Sequence, residues 1–210
     1  MLKILSLTSE YTVCVKPVGV PSQGEGADAM PALLAAQLGG TFYPVHRLDQ
    51  TVGGVMVYAR TPEAAAKLTA RMQQGDFRKE YLAVLTGVPA APAGELTDLL
   101  FHDRPRTKTY VVDRKRAGVK EARLAYEVLG QTENLSLVRV RLFTGRTHQI
   151  RVQFASRKLP LLGDGKYGSR DNRCAAALWS YRLTFSGQTF SALPEGFPWT
   201  LFSVEGLSCM

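Results

Sequence analysis

The chain has 210 residues, room for one domain or one and a half at roughly 150 residues per domain. Apolar residues are 45% and charged residues 21%, which excludes a disordered, collagen-like or disulfide-scaffold chain. Lys and Arg number 26 against 18 Asp and Glu, and the resulting +8 suits a polyanion such as nucleic acid, or simply a basic soluble protein.

Residues 2–6 and 12–16 read as short strands about a polar turn at Thr8-Ser9-Glu10. Lys16-Pro17-Val18-Gly19-Val20-Pro21 is an extended or turning segment, because each proline removes a donor and disfavours helix before it. Met30 to Leu38 is a helix closed by Gly39-Gly40. Residues 54–59 are a buried strand. Thr61-Pro62 then opens a helix that ends at Gly75, with Ala65, Leu68 and Met72 as its apolar stripe. Residues 80–86 form a strand followed by a surface loop over 87–94, and His102-Asp103 falls in a loop. The stretch 104–120 is densely basic. Strands follow at 121–129 and 135–143, the second with Arg139 and Arg141 on one face and Val138, Val140 and Leu142 on the other. A helix runs from Thr147 to about Ser156, and short strands return after Ala175. Strands outnumber helices, so the expected class is α+β with a mostly antiparallel mixed sheet and flanking helices.

No stretch approaches about 18 uncharged apolar residues, so no membrane span is expected. The N-terminal apolar run is too short for a secretory signal. Cys14, Cys174 and Cys209 make no C-x-x-C pair, which argues against a disulfide framework or zinc site and fits a reducing, cytoplasmic location.

Three stretches place polar residues where core would otherwise run. Tyr43-Pro44-Val45-His46-Arg47-Leu48-Asp49 sets a carboxylate just before a strand. Asp49 there is a nucleophile, a base or a metal ligand, or else satisfies its own turn's amides. Lys79-Glu80-Tyr81 brings a ring and a hydroxyl into a strand, for stacking and proton transfer or for ordinary sheet packing. Thr144 to Arg151 spans a strand-to-helix junction whose amides and Arg151 favour an anion, or form a solvated basic helix start. His46, His148 and Asp49 lack metal-ligand spacing, so a metal-dependent hydrolase is a remote alternative. No P-loop and no GxSxG elbow is present.

Taken in order, these segments resemble the RluA-type pseudouridine synthase family. His46-Arg47-Leu48-Asp49 resembles its catalytic-aspartate motif, Lys79-Glu80-Tyr81-Leu82 its tyrosine segment, and Gly145 to Arg151 its arginine motif. Lys16-Pro17 with Gly19, Gly163-Asp164 with Tyr167-Gly168, and Leu178 through Leu183 match more weakly. Val52-Gly53-Gly54 replaces the family's usual Thr-Ser-Gly or Thr-Thr-Gly run, and Trp179 stands where a histidine often follows leucine.

The resemblance implies a cofactor-free isomerase acting on ribosomal or transfer RNA, in one catalytic domain over 1–210 without an additional N-terminal RNA-binding domain. It implies Asp49 as covalent nucleophile, Arg151 pairing with it, Tyr81 stacking on the base, and Arg47 filling the space of the flipped uridine. His46, Arg146 and His148, the basic residues Arg104, Arg106 and Lys108, and Arg139 and Arg141 are the expected RNA contacts. A protein that binds or remodels RNA without modifying it is the competing reading; the oligomeric state is unreadable.

Overall fold

The computed structural model describes residues 1–202; Cys209 lies outside them. In chain order the elements are β1 (Ile4–Leu7), β2 (Tyr11–Lys16), α1 (Met30–Leu38), β3 (Tyr43–Pro44), β4 (Gly53–Ala59), α2 (Pro62–Gln73) and β5 (Arg78–Thr86). Then come β6 (Ala93–Asp103), β7 (Lys108–Val112), β8 (Val119–Gln131), β9 (Leu135–Leu142), α3 (Gln149–Ala155), β10 (Leu178–Phe185) and β11 (Gln188–Ser191). The class is α+β with mixed, predominantly antiparallel pairing, as the sequence leads one to expect. Two units result: Met1–Lys79 with Trp179–Pro194, and Glu80–Leu178 with the described residues from Glu195. Among the described residues no helix is long and apolar enough to cross a membrane.

The first unit orders its strands β1-β2-β4-β10, with β3 also on β4 and β11 on β10. β4 is buried at all seven positions, which explains its unbroken apolar sequence. It runs antiparallel to β2 and parallel to β10, meeting the latter through Trp179↔Gly53 and Ser180↔Gly54. α2 starts where its signals lie: the Thr61 hydroxyl accepts from the Ala64 N–H at 3.2 Å and Pro62 follows. Its stripe turns inward, with Leu68 buried and Ala65 and Met72 packed against Val57, Phe77 and Phe185. Phe77 and Phe185 stack at 4.8 Å, and each such buried ring contributes roughly 1.5–3 kcal/mol of hydrophobic stabilisation.

The second unit orders its strands β5-β9-β8-β6-β7. β6 and β7 correct the sequence reading, which leaves residues 95–103 unassigned and puts His102-Asp103 in a loop. β6 pairs with β8 from Ala93↔Glu127 to Phe101↔Val119 and with β7 from Leu99↔Val112 to Asp103↔Lys108. β6 is paired on both sides and β7, at the end of the strand order, on one, whereas only Leu96, Leu100 and Thr109 are deeply buried, so the hydrophobic signal is thin. The basic stretch is therefore a tight turn at 104–107, a strand, and a second turn before β8. α3 is also shorter than expected: His148 adopts a left-handed conformation (φ 54°), and the helix begins at Gln149 rather than Thr147.

Gly54 sits at φ 119°, and a Cβ there would lie 2.3 Å from the Ser180 carbonyl oxygen and 2.6 Å from its nitrogen. Both the conformation and the β4–β10 contact demand glycine. Gly54→Ala is expected to destabilise the protein by about 3 kcal/mol. A urea or thermal melt checks this, and an unchanged midpoint would show that the two strands separate at no cost.

Candidate active site

In the first unit, Asp49 ends a segment whose side chains alternate as in a strand. His46 and Leu48 turn inward, Arg47 is exposed and Asp49 half-buried. The Val52 N–H donates to the Asp49 carbonyl at 2.9 Å, and the Ser22 hydroxyl to the Leu48 carbonyl at 2.9 Å. Gln50 is tied to Gly19 twice: its carbonyl accepts from the Gly19 N–H at 2.8 Å, and its side-chain amide donates to the Gly19 carbonyl at 2.9 Å.

Beneath this pair of loops lies Lys16, 0% exposed. Its ammonium donates to the carbonyls of Val20 (2.6 Å), Pro17 (2.9 Å) and Gln50 (3.2 Å). Three donors meet three acceptors, so the ammonium fastens the Pro17–Val20 turn to the Asp49 loop. Burial lowers its pKa to about 8, against the pull of the Asp49 carboxylate, which favours the charged form. The sequence reading noted Lys16 only as a weak family match. No local signal shows that the remote Gln50 carbonyl joins those of Pro17 and Val20 on it.

His46 is corrected as an RNA contact. The residue is 9% exposed, and its Nε2 accepts from the Val57 N–H at 3.4 Å. Burial, aided by the charge of Lys79, pushes its pKa down to about 3, so at neutral pH it carries no charge for a phosphate. It supports the Asp49 segment from inside.

In the second unit, Tyr81 lies on β5 and is 6% exposed. Arg151 lies on α3, where Gln149 through Phe154 are all buried. Its Nε and Nη2 donate to Asp164 Oδ2 and Oδ1 at 2.7 and 2.8 Å, a two-pronged pair with both side chains nearly sealed from water. Asp164 is a site residue that sequence reasoning passed over; its only trace is the Gly163-Asp164 pair. Gly163, at φ 78°, has no room for a Cβ, which would stand 2.4 Å from the carbonyl oxygens of Cys174 and Ala175. Tyr167 follows: Arg151 Cζ lies 5.1 Å from its ring centroid, and its hydroxyl is 2.8 Å from His148 Nδ1. Burial raises the Tyr167 pKa against hydrogen bonding to Thr109, which leaves a neutral phenol.

The remaining expected contacts divide by environment. Arg104 and Arg141 are exposed. Arg146 is exposed and donates from Nε to the Glu121 carbonyl at 2.9 Å. Arg106 pairs with Asp103 at 3.7 Å, and Lys108 lies 5.8 Å from the Tyr110 centroid. Arg139 is held by Glu127 at 2.6 Å across β8–β9, so its charge is matched locally. Asp49, Arg47 and His46 thus belong to the first unit, and every other expected site residue to the second.

A family profile described as RNA pseudouridylate synthase matches residues 10–156, a span that includes Asp49, Tyr81 and Arg151. An RNA pseudouridine synthase of Zymomonas mobilis is 34% identical over 174 residues, covering 80% of this chain and 78% of its own length. A ribosomal large subunit pseudouridine synthase D of Xanthomonas campestris is 40% identical over 124 residues, which are 59% of this chain but 36% of that protein. A relative in Aquifex aeolicus is matched over 60% of its length. The human RNA pseudouridylate synthase domain containing 4 shares the fold, with a TM-score of 0.80 at 24% identity over 95% of this chain and 91% of that one.

The lowered Lys16 pKa fixes the sign of a pH effect. Below about pH 8 the lysine is protonated both folded and unfolded, and its contribution is flat. Between about 8 and 10.5 the unfolded chain keeps a proton that the folded chain has released, so stability rises with pH through this group. Relative to Lys16→Met, the wild type is expected to gain stability across that window. Paired urea melts from pH 7 to 10.5 measure the difference, and parallel curves would contradict it.

Proposed function

The chain belongs to the RNA pseudouridylate synthase family, and on that premise we propose that it converts specific uridines of ribosomal or transfer RNA to pseudouridine, with Asp49 as nucleophile. The observation that carries the reading is the His46-Arg47-Leu48-Asp49 segment, which lies within the matched span and leaves its aspartate half-buried on a braced loop. Membership of the family is what the comparisons bear out, and the role of Asp49 is our proposal from the likeness of this segment to the family's aspartate motif. The names of several relatives favour ribosomal RNA.

The isomerisation breaks the bond from ribose C1′ to N1, turns the base, and rejoins C1′ to C5, which gives up its proton while N1 takes one up. Atoms and electrons balance within the nucleoside, so the reaction demands no redox partner or phosphate energy. A fixed carboxylate can hold the reacting fragment covalently during the turn. The buried Tyr81 offers a flat apolar ring for the base, and Arg151 the guanidinium of the family's arginine motif. The uridine must leave its stack, at a cost of a few kcal/mol, and the exposed Arg47 is suited to fill the vacancy. Arg104, Arg106 and Lys108 on the β6–β7 hairpin, with Arg141 and Arg146, supply phosphate contacts.

Asp49→Ala is expected to abolish pseudouridine formation while RNA binding persists, read by tritium release from C5-labelled RNA and by filter binding. Retained turnover would remove Asp49 from the chemistry. Retained binding in a wild type that never forms pseudouridine would instead favour a protein that remodels RNA.

A further inference from the structure

We infer that Tyr167 is a positioning residue that couples the basic β6–β7 hairpin to Arg151, so that RNA seated on the hairpin and the guanidinium are held by one side chain. The inference rests on the reading of Arg151 as an active-site group. Tyr167 lies beyond the span matched by the family profile, which ends at residue 156.

Its two ends do different things. The hydroxyl accepts from the Thr109 N–H on β7 at 2.9 Å and lies 2.8 Å from His148 Nδ1. Thr109 is 1% exposed, so water cannot replace that acceptor if the hydroxyl is lost. The Thr109 hydroxyl in turn donates to the Thr147 carbonyl at 3.0 Å, and His102 Nδ1 lies 3.1 Å from it. The hairpin is thus strapped to the Thr147-His148 junction at two points, one of them through Tyr167.

The ring works on the cations. Arg151 Cζ lies 5.1 Å from its centroid and Lys108 Nζ 5.5 Å from the same centroid. Asp164 engages the guanidinium by its Nε and Nη2, and the ring adds a second restraint on the same cation. A hairpin cation and Arg151 therefore share one aromatic ring whose hydroxyl pins the hairpin backbone. The Gly165–Tyr167 turn fixes that ring, since the Tyr167 N–H donates to the Asp164 carbonyl at 3.0 Å. One loop thereby aims both Asp164 and Tyr167.

A residue that merely fills space tolerates phenylalanine. A positioning residue separates its two functions, so the test uses Tyr167→Phe, which keeps the ring, and Tyr167→Leu, which removes both. Turnover is followed by tritium release from C5-labelled total RNA prepared from cells lacking the gene, alongside amide hydrogen exchange of residues 108–112. Tyr167→Phe should raise the apparent KM about ten-fold, leave kcat within about two-fold, and speed exchange in β7 about ten-fold. Tyr167→Leu should show the same KM change and lose about a further ten-fold in kcat.

Wild-type KM and exchange in Tyr167→Phe would overturn the inference, as would equal losses of kcat in both variants. Should Tyr167→Leu fail to fold, the KM-against-kcat split and the exchange rates of Tyr167→Phe decide alone. Asp49→Ala is assayed in parallel: turnover there defeats the catalytic reading, whereas an inactive Asp49→Ala beside an unsplit Tyr167 pair defeats the coupling by itself.

Discussion

Arg151 and Asp164 are 8% and 1% exposed in their side chains, and two hydrogen bonds of 2.7 and 2.8 Å join them. A guanidinium withdrawn from water costs several kcal/mol unless a carboxylate meets it with good geometry. α3 buries six consecutive positions, so the arginine is held largely away from solvent. The chain between residues 161 and 169 returns a carboxylate to the cation that the second unit keeps there. That return is itself constrained by a glycine at 163 and by the N–H groups of Tyr167 and Ser169, which donate to the Asp164 carbonyl at 3.0 and 3.1 Å. Removing Arg151 leaves the buried Asp164 carboxylate without this guanidinium, a loss of about 3–5 kcal/mol.

The first unit solves the same problem differently. Lys16 is as deeply buried as Arg151, yet its hydrogen bonds go to three backbone carbonyls. Carbonyl dipoles solvate an ammonium without cancelling its charge, so a positive field remains under the Asp49 loop. The arrangement also makes loop shape and charge stability one quantity: the Pro17–Val20 turn cannot move away from Gln50 without desolvating the lysine. A compact ammonium with three rotatable donors suits this role, while the planar fork of arginine suits a single carboxylate.

Much of this was legible in the residues. β4 announced itself by an unbroken apolar run, α2 by Thr61-Pro62 and its stripe, and the Asp49, Tyr81 and Arg151 segments by polar residues placed against hydrophobic ones. What escaped were features decided by long-range pairing. β6 and β7 take their stability from backbone ladders to β8 and to each other, and Thr97, Asp98, His102 and Asp103 obscure their thin buried face. Asp164 escaped because its partner stands thirteen residues back on another element, and a lone aspartate after glycine looks like any turn. His46 misled for the opposite reason: beside an exposed arginine it looked like surface, yet strand-like alternation carried it inward. The shorter α3 follows from the left-handed backbone at His148, which no helix-start signal encodes.

The net charge of +8 therefore resolves into two populations with different physics. Arg104, Arg141 and Arg146 are exposed, and their attraction for phosphate is screened beyond roughly 8–10 Å at physiological salt. Lys16 and Arg151 are buried and hydrogen-bonded to fixed protein groups, where mobile ions scarcely reach. Salt consequently acts on the exposed cations and scarcely on how the inner ones are aimed. Tyr167 stands where the populations meet, with its hydroxyl on the hairpin backbone and its ring against the inner cation. In the proposed arrangement, affinity at the surface and geometry inside are joined at this residue.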